Sequence, residues 1–231
     1  MKRFYEMVDV RLVEEGFSVL LDDRPIKTPA KVALILPTHG MATAIAQEWD
    51  DQADKIDPAT MPLMRYAATA LDRVSAHRGA IIDEIAAYGT SDLLCHRADS
   101  PKDLVAWQEA SWQPLLDWAA DRFQALMIVT TGIMPLDQSP DALAALRAAV
   151  AAQDDMTLSG LHGITKITGS LVLALAVVEG RLDVEVAWEA SQIDEVFQAQ
   201  QWGEDEEAAE RRTHLKAGVL DAARFLSLCA D

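Results

Sequence analysis

From Phe4 to Leu36 apolar positions recur in short runs rich in Val, Leu and Ile, broken at Glu14-Glu15-Gly16 and Asp22-Asp23-Arg24-Pro25. That pattern predicts an antiparallel meander of three or four strands. The period then changes. Thr38 follows a proline and can N-cap a helix in which Met41, Ala42, Ile45, Ala46, Trp49 and Ala53 form one apolar face. Short strands need a covering layer to bury that face, so this helix is predicted to pack across the sheet. Asp57-Pro58 and Met61-Pro62 end it and predict an extended connector, followed by a second amphipathic run through Leu63, Ala67, Ala70 and Val74.

Beyond about Asp57 the β signal disappears, and helical patterns are separated by turn residues at Gly89-Thr90-Ser91, Gly132 to Pro135, Ser139-Pro140 and Gly180. The fold class expected is therefore α+β. Residues 1–57 form a small antiparallel β-rich domain with a covering helix, and residues 58–231 an all-α helical bundle domain. Pro114 predicts a kink or two short helices in the tryptophan-rich stretch from Trp107 to Trp118. Ser139-Pro140 is a helix start, the alanine-rich run Ala142 to Ala152 is ordinary helix, and Asp154 or Asp155 can cap the helix through Leu161, Ile164, Leu171 and Leu175. The longest aliphatic run, Leu171 to Val178, falls far short of the roughly 20 residues that span a bilayer, so a buried helix and no membrane insertion are expected.

Charge narrows the partners. Lys and Arg number 20 against 37 Asp and Glu, a net −17. Phosphate binding rests on clustered cations, so no nucleic acid is expected as a partner. Two cysteines, Cys95 and Cys229, make neither a CxxC pair nor a disulfide framework, and the amino terminus lacks a secretory or organellar presequence pattern. A bacterial cytoplasm is the expected compartment.

Candidate chemistry is sparse. Cys95-His96, with Asp92 upstream, is the best nucleophile pattern, but adjacent residues point in different directions, and a small buried thiol beside a surface histidine is the favoured reading. There is no GxxxxGK[ST] loop, and Gly160-Leu161-His162-Gly163 lacks a dinucleotide fingerprint. Neither HExxH nor calcium-loop spacing occurs. No catalytic residue, metal, nucleotide or other cofactor is expected, and the chain is not expected to be an enzyme. Abundant carboxylates leave open a small carboxylate-dependent hydrolase as an alternative.

Between Asp183 and Glu210 lie ten acidic residues and no Lys or Arg. On a helical projection Val186, Ala190, Ile193 and Phe197 share one side, while Trp188, Gln192, Glu195, Ala199 and Trp202 fall roughly opposite. The first side is core. The second combines two indoles with a carboxylate, the composition of an interface anchor, unless the helix lies centrally and buries both sides. Glu204 to Glu207 also suit the first turn of the last helix, whose apolar stripe is Leu215, Val219, Ala222 and Leu226.

The stretch Pro37 to Val74, together with Lys2-Arg3-Phe4-Tyr5, Leu21-Asp22-Asp23-Arg24-Pro25-Ile26-Lys27-Thr28-Pro29, Ser91-Asp92-Leu93-Leu94-Cys95, Gly169-Ser170-Leu171 and Trp202-Gly203-Glu204, resembles one family over nearly the whole chain. It is the family of assembly chaperones for the alpha subunit of the F-type ATP synthase catalytic sector, of mitochondrial and alphaproteobacterial type. The resemblance implies a protein that binds the free alpha subunit, prevents its aggregation and promotes assembly, with relatives in the mitochondrial matrix. A monomer is expected. Motif carry-over places Glu195, Trp202, Gly203 and Glu204 on the partner-binding surface; the helical projection adds Trp188 to it, and the place of Trp49 among Met41, Ile45 and Ala53 makes it a core or interface residue. A structural interaction module without chaperone activity is the other alternative.

Overall fold

The computed structural model describes residues 1–131, 136–203 and 205–230. The turn expected from Gly132 to Pro135 lies outside them. The fold is α+β. By internal packing Met1–Arg78, Asp154–Gly160 and Asp221–Asp231 form one compact unit, and Gly79–Gln153 with Leu161–Leu220 a second.

In the first unit the meander has three antiparallel strands in the order β1 (Val8–Val13), β2 (Gly16–Leu21) and β3 (Arg24–Pro25). Val8 pairs with Leu21, Val10 with Val19 and Leu12 with Phe17, a register that puts alternate side chains on one face. β2 supplies the buried Val19 and Leu21, and Leu34 and Leu36 from the following segment are fully buried with them. Helix α1 (His39–Asp50) packs on β1 and β2, as its apolar face predicts. Thr38 is its cap: Oγ1 accepts from the Met41 N–H at 3.1 Å and donates to the Leu228 carbonyl at 2.6 Å. Trp49 is half-buried, edge-on to the Tyr5 ring with centroids 5.7 Å apart, and Tyr5 Oη donates to the Trp49 carbonyl at 2.6 Å. Ala53 lies past the helix end and is exposed.

The buried face of α1 also carries Glu48, which its charge alone would place among solvated residues. Its carboxylate accepts from the Leu63 and Met64 N–H groups at 2.7 and 2.8 Å, the first turn of α2 (Pro62–Thr69), where Met61 offers no side-chain cap. A negative group at that position complements the macrodipole. Burial is the dominant influence and raises the Glu48 pKa despite those bonds.

The extended connector is replaced by a 3₁₀ turn, Pro58–Thr60, capped by Asp57 through the Ala59 N–H at 3.0 Å, and Pro62 opens α2. A proline's fixed φ fits the first turn of a helix as well as an extended chain. Leu63, Ala67, Ala70 and Val74 are all buried, and α2 runs through a π turn at Ala70–Val74 into α3 (Ser75–Ala86). Residues far along the chain complete this core: Met156 joins the cluster, and Phe225 stacks on Tyr66 with centroids 5.3 Å apart.

The second unit is mainly helical, with α4 (Lys102–Phe123), α5 (Pro140–Ala151), α7 (Leu171–Val178), α8 (Val184–Ser191) and α9 (Ile193–Trp202); α6 (Asp155–Thr168) and α10 (Glu206–Ser227) contribute residues to both units. One short parallel pair, β4 (His96–Arg97) with β5 (Thr130–Thr131), occurs among them. Two-residue strands leave no periodic trace to read. Pro114 does not divide α4: its neighbours Trp112, Leu115, Leu116 and Ala119 are buried, and Trp112 Nε1 donates to the Ala190 carbonyl at 2.8 Å, so packing offsets the lost backbone bond.

Asp154 caps α6 through the Thr157 N–H at 2.8 Å. The single helix expected through Leu161 and Leu175 is two helices, because Gly169 adopts φ +70 and Ser170 starts α7 by accepting from the Leu173 N–H at 3.0 Å. The aliphatic run is buried, Leu171 through Ala176 without exception.

Candidate partner-binding site

Several motif residues that carry the resemblance hold elements together. Arg3 Nη1 donates to the Asp50 carbonyl at 2.9 Å, and its guanidinium lies over the Tyr5 ring. Asp22 accepts from the Met7 and Glu6 N–H groups at 2.9 and 3.0 Å, which lowers its pKa, with the Met7 bond the larger cause. Thr28 Oγ1 donates to Asp72 at 2.5 Å. Fully buried Asp92 accepts from the Leu94 N–H at 3.1 Å, the Ser170 hydroxyl at 2.7 Å and the Val172 N–H at 3.0 Å, so one carboxylate joins two motif stretches and caps two helical segments. Burial raises its pKa above the usual carboxylate range.

These bonds also decide the fate of the cysteine pattern. Asp92 is committed to Ser170 and Val172, and burial pushes the Cys95 thiol up to about 12, so no thiolate is available beside His96. Among the described residues no group of three His, Cys, Asp or Glu could hold a metal ion, and no helix is long and apolar enough to cross a membrane.

Trp202 has no such structural task. It ends α9 with 80% of its surface exposed, the most exposed large apolar side chain among the described residues. Gly203 follows with φ +87 and ψ 158, a conformation nearly restricted to glycine, which turns the chain out of the helix. Asp205 then caps α10 through the Ala208 N–H at 3.1 Å, and Glu206 and Glu207 occupy its first turn. That gives part of the acidic cluster its expected structural role.

An open pocket of about 430 Å³ lies between α9 and the start of α10. Glu195, Trp202 and Gly203 all line it. Ala199, Ile167 and Leu215 give it apolar wall, and Arg211 and Arg212 stand on its α10 side. The acidic pattern that ends at Glu210 gives no sign of either arginine; the one local signal is the i, i+4 spacing of Glu207 and Arg211 on α10. Glu204 lies outside the described residues. Trp188 is only 5% exposed, so its indole takes the central, buried position rather than standing beside Trp202. The single-helix projection fails because Gln192, at φ −110 and ψ 11, breaks the chain into α8 and α9 and rotates one face relative to the other. Val186, placed on the core side by that projection, is 48% exposed.

Residues 2–120 match the family described as ATP12 chaperone protein. The chain belongs to the ATP12 chaperone family. Solved structures agree. The crystal structure of Atp12 from Paracoccus denitrificans shares 43% identity, covering 99% of this chain and 98% of that one, with a TM-score of 0.94. A point-substituted form of the same Paracoccus protein matches at 43% identity over 99% and 97%, also at 0.94. The Atu1473 protein of Agrobacterium tumefaciens is 41% identical over 98% of this chain and 85% of its own, at 0.93. Membership of the ATP12 family makes this chain a chaperone.

Proposed function

We propose that this chaperone captures the free alpha subunit of the F-type ATP synthase catalytic sector in the bacterial cytoplasm, as a monomer, and keeps it from aggregating until it meets the beta subunit. The observation that carries the site is Trp202, 80% exposed at the edge of the pocket it shares with Glu195. An unassembled subunit exposes the apolar surface its neighbour will cover, and such surface self-associates unless capped. Covering the exposed 80% of an indole of roughly 200 Å² at about 25 cal/mol per Å² contributes on the order of 4 kcal/mol before ordering costs. Release is by competition from the beta subunit, which binds the alpha subunit with the higher affinity.

Co-expression with the alpha subunit is the test. Solubility of the alpha subunit should depend on this chain, and Trp202→Ala should weaken capture by about 2 kcal/mol, roughly 30-fold. An alpha subunit equally soluble with and without the chaperone would sink the proposal. Glu195→Lys reads the polar half of the site; wild-type capture by that variant would remove the carboxylate from it.

A further inference from the structure

The motif stretches Lys2 to Tyr5 and Leu21 to Pro29 divide cleanly in the structure. Arg3, Tyr5, Asp22 and Thr28 are consumed by internal hydrogen bonds. Phe4, Arg24 and Lys27 are not: Phe4 is 63% exposed, and the two cations are exposed with no side-chain hydrogen bond or ion pair among the described residues. These three side chains line one pocket of about 540 Å³, whose wall is completed by Met1, Leu21, Asp22, Pro25, Ile26 and Trp49. It lies wholly within the first unit.

Charge selects the occupant. Asp22 and Asp23 precede Arg24 in sequence; Asp22 stands in the pocket lining, held by two backbone N–H groups and within electrostatic reach of Arg24, while Asp23 pairs with Arg11 at 3.0 Å. The lining therefore carries two cationic side chains against one carboxylate, and neither Arg24 nor Lys27 forms an ion pair among the described residues, in a chain of net charge −17. A recess of this size accommodates one or two large apolar side chains, and its rim attracts carboxylates.

Resting on the reading of this protein as a chaperone with a polypeptide client, we infer that the pocket lined by Phe4, Trp49, Arg24 and Lys27 is a second client-docking site, taking an extended segment that carries an apolar side chain flanked by Asp or Glu. The apolar side chain enters between Phe4, Ile26 and Trp49. The flanking carboxylates pair with Arg24 and Lys27.

The probe is a short fluorescein-labelled peptide with Leu and Phe between Asp residues, compared with its counterpart carrying Lys in place of Asp. Anisotropy should show binding of the acidic peptide to the full chain, weakening with added salt as exposed charge pairs do. The doubly substituted Arg24→Glu, Lys27→Glu protein should bind it at least about tenfold more weakly while melting like the wild type, since exposed substitutions away from structural contacts leave stability nearly unchanged. Peptide binding should also move the Trp49 indole N–H resonance, assigned by its loss in Trp49→Phe. Trp202→Ala should leave peptide binding intact, so that failure of the alpha-subunit reading and failure of this one are told apart. Equal binding of acidic and basic peptides, an unmoved Trp49 resonance, or full displacement of the peptide by inorganic phosphate overturns the inference, as does a self-association that the double substitution abolishes.

Discussion

Replacing Asp92 with alanine strips three donors of one acceptor group in the interior of the second unit. The Leu94 and Val172 N–H groups, at 3.1 and 3.0 Å from the carboxylate, have no alternative partner in view, whereas the Ser170 hydroxyl can rotate and keeps its bond from the Leu173 N–H. An orphaned buried donor costs about 1–3 kcal/mol, so two cost about 2–6 kcal/mol. Removing a buried charge recovers part of that, as the raised Asp92 pKa indicates. The net expectation is a loss of about 2–4 kcal/mol, which for a chain of this size lowers Tm by about 4–16 °C. Thermal and urea melts followed by circular dichroism measure it. A double-mutant cycle sharpens the reasoning: Ser170→Ala alone should cost about 1 kcal/mol as a lost cap, and because Ser170 donates to Asp92 at 2.7 Å the two changes should couple by at least about 0.5 kcal/mol. An Asp92→Ala protein within about 0.5 kcal/mol of wild type, or strict additivity with Ser170→Ala, would show that this carboxylate does not brace α7 against the turn at Leu93–Cys95.

Glu48 gives a pH dependence. Its pKa is raised in the folded state, chiefly by burial, so between the unfolded value of about 4.3 and the folded one the native state binds more protons than the unfolded. Its contribution is most favourable in acid and declines as pH rises through the folded pKa; the wild-type minus Glu48→Gln difference in urea midpoint should shrink over that window, and a difference that grows with pH refutes the assignment. Gly203→Ala should cost about 1–3 kcal/mol from backbone strain alone, since an added Cβ meets nothing within 4 Å, and should weaken alpha-subunit capture by redirecting Trp202. A variant that melts and captures like the wild type would show that the turn tolerates an ordinary residue. Trp49→Ala should lose about 2–3 kcal/mol, less than a fully buried tryptophan would, because Trp49 keeps an exposed edge; an unchanged Tm removes it from the core.

Where burial follows period, the sequence was a sufficient guide. Leu63, Ala67, Ala70 and Val74 recur at helical spacing and all are buried, and Thr38 caps the helix it precedes. Capping by distant groups was illegible. Glu48 serves a helix that starts fourteen residues later, and Asp92 serves one that starts at Leu171, so neither carries the local spacing by which caps are recognised. The same limit applied to the candidate site. Trp202-Gly203 stood out as a motif, but the break at Gln192 sent Trp188 inward and left Trp202 outside, a difference of backbone dihedrals at one residue that no projection of a continuous helix contains.

The sequence alone determined the α+β class, the meander, the covering helix and the family resemblance, because each is written in local periodicity or in ordered short motifs. Which carboxylates became structural, which indole faced solvent and which distant residues closed the first core were decided only by tertiary structure. Those outcomes depend on long-range contacts, whose geometry is fixed when elements pack and a buried charge must find donors from whatever segment lies beside it.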